Sequence, residues 1–162
     1  MYRVGIITAS DKGSTGERKD VSGERIRTIV EEHGYKVCYY QILPDEKILL
    51  QETMQRLSDE YTVDLILTTG GTGFSMRDVT PEATVAIADR MVPGIAEAMR
   101  AYSMTITKRA MLSRGVAALR KSTLIINLPG SPKAVEESLT YIIEEIKHGI
   151  EILTGEANEC AR

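Results

Sequence analysis

Two cysteines and two histidines are all that this chain of 162 residues has of the side chains that most often bind zinc or act as nucleophile and base. Cys38 and Cys160 lie far apart, with no CxxC spacing and no histidine spaced as a zinc partner. A disulfide framework, a zinc centre and thiol chemistry are therefore disfavoured. His33 and His148 each precede a glycine at the end of a helical pattern, where an imidazole suits the negative end of the helix dipole. Histidine-based catalysis is not expected. No apolar run approaches the roughly 20 residues that cross a bilayer. The apolar stretch near the N-terminus is too short for a signal-peptide core and reads as a first strand. Net charge is also small, at -3, which argues against a nucleic-acid partner or a membrane surface.

The common nucleotide and hydrolase fingerprints are missing as well. No G-x4-G-K-[ST] ending follows Gly70 or Gly71, and Gly71-Thr72-Gly73 runs into Phe74-Ser75-Met76 rather than a third glycine. There is no G-x-S-x-G elbow. Acidic residues vanish between Ala98 and Val135, while Arg100, Lys108, Arg109, Arg114, Arg120, Lys121 and Lys133 fall in that stretch. Such a segment is either a solvated basic face or a local anion site, and the charge pattern leaves both open.

With 43% hydrophobic content, the length suits one globular domain spanning 1–162, expected to be soluble and cytoplasmic. Strand and helix signals alternate. Arg3–Thr8, Lys36–Leu43, Asp64–Thr69, Gly115–Arg120 and Thr123–Leu128 read as strands. Helical patterns end at His33-Gly34, cover Ile48–Ser58, Thr80–Ala88 and Ile95–Met104, and start again at Ser131-Pro132. Ser10 to Gly16 reads as a polar loop. This alternation predicts an α/β fold, a three-layer αβα sandwich around a mostly parallel sheet. The short Lys121-Ser122 link makes the strand before it an antiparallel edge strand. Ligands of such sheets bind beyond the carboxyl ends of the strands. Those ends are Thr8 to Asp11, Pro44-Asp45, Thr68 to Gly73 and Pro129 to Ser131, all expected to face one crevice.

The most telling segment is Gly70-Gly71-Thr72-Gly73, followed by Asp78. Glycines after a buried strand let backbone N–H groups approach an anion closely. Thr80-Pro81-Glu82 beyond it reads as a helix N-cap, a first-turn proline and a first-turn acid, so capping does not explain Asp78. Asp45 is open between capping the next helix and a functional role. Two carboxylates at the ends of different strands are suited to share Mg²⁺, which is held by one or two carboxylates plus substrate phosphates. The residues thus point to metal-assisted phosphoryl or nucleotidyl transfer.

Thr69 to Gly73 together with Arg77-Asp78-Val79-Thr80-Pro81-Glu82 resembles the signature of the molybdenum cofactor biosynthesis MogA/MoaB family. The similarity continues through Pro93 to Arg100, Leu112-Ser113-Arg114, Asn127 to Lys133, Ser10-Asp11 and Pro44-Asp45-Glu46, so it spans nearly the whole chain. The adenylyltransferase branch matches best. The resemblance implies adenylyl transfer from ATP to the terminal phosphate of molybdopterin, with Mg²⁺ and release of pyrophosphate. It makes Asp45 and Asp78 the catalytic and metal-binding carboxylates, and gives the nucleotide to Gly70, Gly71, Thr72, Gly73, Ser10 and Asp11. It assigns molybdopterin to Glu97, Ser113, Arg114, Pro129, Gly130, Ser131 and Lys133. It further implies a homotrimer and a downstream molybdenum-insertion partner. A MoaB-like protein that binds molybdopterin without adenylyl transfer is the alternative.

Overall fold

The computed structural model describes residues 1–157, so Cys160 lies outside the described residues. Strands β1 (Arg3–Ala9), β2 (Lys36–Leu43), β3 (Leu65–Thr69), β4 (Arg90–Met91), β5 (Ala117–Arg120) and β6 (Thr123–Leu128) form one sheet in the order β2-β1-β3-β6-β5-β4. β2, β1, β3 and β6 pair in parallel, and β5 turns back antiparallel on β6. The helices are α1 (Asp11–Ser14), α2 (Val21–Glu32), α3 (Lys47–Asp59), α4 (Thr80–Ile87), α5 (Pro93–Met104) and α6 (Pro132–Leu153). None among the described residues is long and apolar enough to cross a membrane.

Side-chain alternation along the strands divides the core. Val4, Ile6, Leu65, Leu67, Leu124 and Ile126 face α2, α5 and α6. Ile7, Ala9, Ile66 and Ile125 face α3 and α4. A central parallel strand buried on both sides must be apolar or hydroxylic throughout, which is why Leu65–Thr69 is buried at every position. α6 lays Val135, Leu139, Ile142, Ile143, Ile146 and Ile150 into the core at helical spacing. Burying that face contributes on the order of 10 kcal/mol before chain entropy is counted. This is the expected three-layer sandwich.

Local differences have local causes. The polar loop contains the single turn α1, because the Ser10 hydroxyl accepts from Gly13 N at 3.0 Å and caps it. The antiparallel strand is present, but β4 adds two residues beyond it, pairing Arg90 with Leu119 and Met91 with Ala118. A two-residue strand leaves no period to read. A 3-10 turn, Lys108–Leu112, likewise has no pattern of its own and is capped by the Thr107 hydroxyl.

Candidate functional site

β1, β2, β3 and β6 all end at one cavity of about 630 Å³. Its walls carry Ser10 after β1, Asp45 after β2, Gly70 and Gly71 after β3, Asp78, and Gly130-Ser131-Pro132 after β6. Two bonds tie the wall together. The Thr69 hydroxyl donates to Pro129 O at 2.6 Å, and the Ser22 hydroxyl donates to Gly130 O at 2.7 Å. The first residues of α2 and α6 line the cavity, beside Arg18 and Lys19. Ser131 caps α6 by accepting from Ala134 N at 3.2 Å. Two helix N-termini and two cations thus face the cavity beside the carboxylates of Asp20, Asp45 and Asp78.

The glycine loop is held in a conformation other residues resist. Gly70 has φ +87° and Gly71 φ +68°, both left-handed. A side chain at Gly70 would run into the backbone of Ala9, and one at Gly71 into Thr80. The loop is fastened by Arg114, whose Nε donates to Gly73 O and Nη2 to Asp78 O, each at 2.7 Å. Its Nη1 donates to Glu82. The Arg114 guanidinium therefore faces the glycine loop. Thr72 is buried, and its carbonyl accepts from Arg114 N. Gly73 lies outside the main cavity, on a shallow neighbour with Phe74, Met76 and Asp78.

The carboxylates form a connected set. Asp45 Oδ2 accepts from Asp11 N and Asp11 Oδ1 accepts from Asp45 N, each at 3.0 Å. Asp45 thus caps nothing in α3, whose first turn lacks a side-chain cap. Arg77 clamps Asp11 through Nε at 3.0 Å and Nη2 at 2.9 Å, and Nη2 also reaches Glu46. The Arg77 guanidinium holds the Asp11 carboxyl below its ordinary range. Burial, with the charges of Asp11 and Asp78 adding, pushes Asp45 the other way. Asp45 Oδ1 is buried without a partner. Asp78 Oδ2 accepts from Ser75 N at 2.9 Å, which fixes it at the cavity rim. Among the described residues no group of three or more His, Cys, Asp or Glu is placed to hold a metal ion. The carboxylates that line the cavity are Asp20, Asp45 and Asp78.

The remaining candidates lie elsewhere. Ser113 and Pro129 line a separate cavity of about 230 Å³ with Arg100 and Arg109, between α5, α6 and the 3-10 turn. Glu97 is exposed on α5. Lys133 is exposed on the first turn of α6, 3.9 Å from Glu137. His33 Nδ1 pairs with Ile29 O at the end of α2.

One residue went unrecognised in the sequence, and another has a different place from the one expected. Asp20 accepts from the Thr8 hydroxyl at 2.6 Å, the Tyr40 hydroxyl at 2.5 Å and Gly23 N at 2.9 Å, locking β1, β2 and α2 together on the cavity wall. Its place one residue before a helix start was the available signal. Thr80 was expected to cap α4. Val79 holds that position without a side-chain bond, and Thr80 is completely buried with its hydroxyl unpartnered. Thr80 is already the first helical residue, one position past the cap, so its side chain does not serve as one.

Residues 5–148 match the family described as a probable molybdopterin binding domain. A molybdopterin adenylyltransferase of Helicobacter pylori (strain 26695) is 40% identical over 154 residues, 94% of this chain and 88% of that protein. The molybdopterin biosynthesis enzyme MoaB of Thermus thermophilus superposes with a TM-score of 0.90 at 46% identity, covering 96% of this chain and 98% of that one. A structure of MogA superposes with a TM-score of 0.88 at 35% identity, covering 93% and 99%.

Proposed function

Because the chain belongs to the molybdopterin-binding domain family of molybdenum cofactor biosynthesis, we propose that it is an enzyme transferring the adenylyl group of ATP to molybdopterin. An oxygen of the terminal phosphate of molybdopterin attacks the α-phosphorus of ATP. That P–O bond forms, the bond to the bridging oxygen of the β-phosphate breaks, and pyrophosphate leaves. Bringing two polyanions together makes positioning and electrostatic stabilisation the dominant requirements. The observation that carries the reading is the meeting of Asp45, Asp78 and the Gly70-Gly71 turn on one cavity faced by two helix N-termini.

In this reading the backbone of Gly70 to Gly73, with Ser10 and Asp11, receives the nucleotide, and Asp45 and Asp78 are the catalytic carboxylates. The unpartnered Asp45 Oδ1, on a carboxyl that burial pushes up in pKa, fits a site completed by a divalent cation. Asp45 and Asp78 would hold Mg²⁺, which when bound neutralises phosphate charge at the reacting centre. Arg77 and Asp11 keep Asp45 in place. Pro129, Gly130, Ser131 and Lys133, with Ser113, Arg114 and Glu97, form the molybdopterin side, where the acid-free stretch supplies positive charge. Arg114 acts there through the loop it fastens. The single domain 1–162 works in the cytoplasm as a homotrimer and hands its product to a molybdenum-insertion protein. Light scattering on the purified chain tests the trimer.

Purified protein given molybdopterin, ATP and Mg²⁺ is expected to release pyrophosphate in proportion to adenylyl-molybdopterin formed. A second reading is the MoaB-like alternative, a molybdopterin-binding protein without adenylyl transfer; the chain is 46% identical to the Thermus molybdopterin biosynthesis enzyme MoaB, so both branches stand near it. Molybdopterin binding without pyrophosphate release would establish that one instead.

A further inference from the structure

Thr80 is completely buried, yet its hydroxyl has no hydrogen-bond partner. Buried hydroxyls are nearly always bonded, and valine has almost the same shape without the desolvation penalty. The free fold is therefore less stable for having this oxygen. Asp45 Oδ1 is in the same condition, buried and unpartnered. The two come from different elements, the first turn of α4 and the loop after β2, yet they converge on one spot. A Cβ on Gly71 would lie 3.3 Å from Thr80 Cβ, closer still to its Oγ1, and 3.2 Å from Asp45 Oδ1. The two oxygens do not bond each other, though a hydroxyl beside a carboxylate oxygen is a natural donor. Gly71, left-handed at φ +68°, keeps the space between them open.

We propose that Thr80 Oγ1 joins Asp45 Oδ1 as an oxygen ligand of the divalent cation that accompanies the nucleotide, so that the Thr80 hydroxyl is retained for binding and not for folding. Two unsatisfied acceptor oxygens, one neutral and one anionic, suit a hard cation, which takes oxygen donors of both kinds. Thr80 N also donates to Gly71 O at 3.1 Å, so the same residue pins the loop that faces the phosphates. This rests on the reading of Asp45 as a metal ligand, and the experiment separates the two.

Mn²⁺ serves as the probe. Its binding to the full chain with a nonhydrolysable ATP analogue is followed by electron paramagnetic resonance for wild type, Thr80→Val, Thr80→Ser and Asp45→Asn. Melting temperatures are taken without metal. Thr80→Val is expected to weaken Mn²⁺ binding by about 10-fold or more, the scale on which metal sites respond to lost supporting groups. Its metal-free melting temperature should equal or exceed that of wild type. Thr80→Ser should bind within about twofold of wild type, since the oxygen remains. Wild-type Mn²⁺ affinity in Thr80→Val, with affinity lost in Asp45→Asn, overturns the Thr80 assignment and leaves Asp45 standing. A lowered metal-free melting temperature in Thr80→Val also overturns it, by showing that the hydroxyl serves the fold. No Mn²⁺ binding by wild type, or unchanged binding in Asp45→Asn, removes the metal reading and this assignment with it.

Discussion

Replacing Gly70 by alanine, with Gly34→Ala as its control, isolates what the close approach of β1 and β3 demands of the glycine loop. The two glycines share a left-handed backbone, φ +87° and +80°. An alanine held there costs about 1–2 kcal/mol, partly offset because the unfolded chain loses freedom too. At Gly34 nothing lies within 4 Å of the added Cβ, so the net loss should be about 1 kcal/mol. At Gly70 the Cβ would stand 3.3 Å from the carbonyl carbon of Ala9 and closer to its oxygen. That atom is backbone at the end of β1, where Thr8 pairs with Thr69, so no rotamer change relieves the overlap. Overpacking of this kind adds about 1–3 kcal/mol, which brings Gly70→Ala to about 2–4 kcal/mol. Urea unfolding followed by circular dichroism reads both variants, compared at constant slope. A Gly70→Ala protein as stable as Gly34→Ala would refute the claim that the two strand ends leave no room.

Three further outcomes follow from other parts of the molecule. Asp78→Asn is expected to lower pyrophosphate release by about 10²-fold or more while the circular dichroism spectrum is retained, as for loss of a major electrostatic group; near-normal turnover would take Asp78 out of the reaction. Arg120 Nη2 lies 2.6 Å and Nε 3.1 Å from the Asp59 carboxylate, and this holds Asp59 below its ordinary range. A depressed carboxylate stabilises the fold above its unfolded pKa, so Asp59→Asn should cost about 1–2 kcal/mol at pH 7. That cost should fade as pH falls below about 4, where the unfolded carboxylate protonates, and vanish once the folded one does too; a difference that grew in acid would contradict the assignment. Thr62, exposed at φ +48°, is a β-branched residue in the left-handed region. Thr62→Asn should raise stability by about 0.5–1 kcal/mol without changing turnover, and a lower melting temperature would mean that Thr62 makes an unrecognised contact.

Much of the architecture could be read along the chain because the signals behind it are local. The period of α6, the apolar run of β3 and the short link between β5 and β6 each depend on neighbours in sequence. Parallel strands then oblige their carboxyl ends to gather on one side. Side-chain direction is another matter. Arg77 reaches Asp11 across 66 positions, and nothing near either residue announces the pair. Arg114 reads along the chain only as one cation of an acid-free stretch, and its donors go to Gly73, Asp78 and Glu82. Thr80 has the composition of an N-cap, and only the packing of Gly71 against it shows an oxygen without a donor. Propensity reports what a residue can do locally, while the choice among its options is made by segments far away in sequence.

The common direction of the parallel strands also gives the molecule a quiet pole. Strands enter the sheet through Gly34-Tyr35, through 62–64 and through Lys121-Ser122, all on the side away from the cavity. Cys38, exposed early in β2, sits toward that pole and carries a free thiol. A dye, a surface tether or an additional domain joined there meets none of the groups that line the cavity. The polarity of the sheet thus provides a site for attachment chemistry that leaves the anion-facing end untouched.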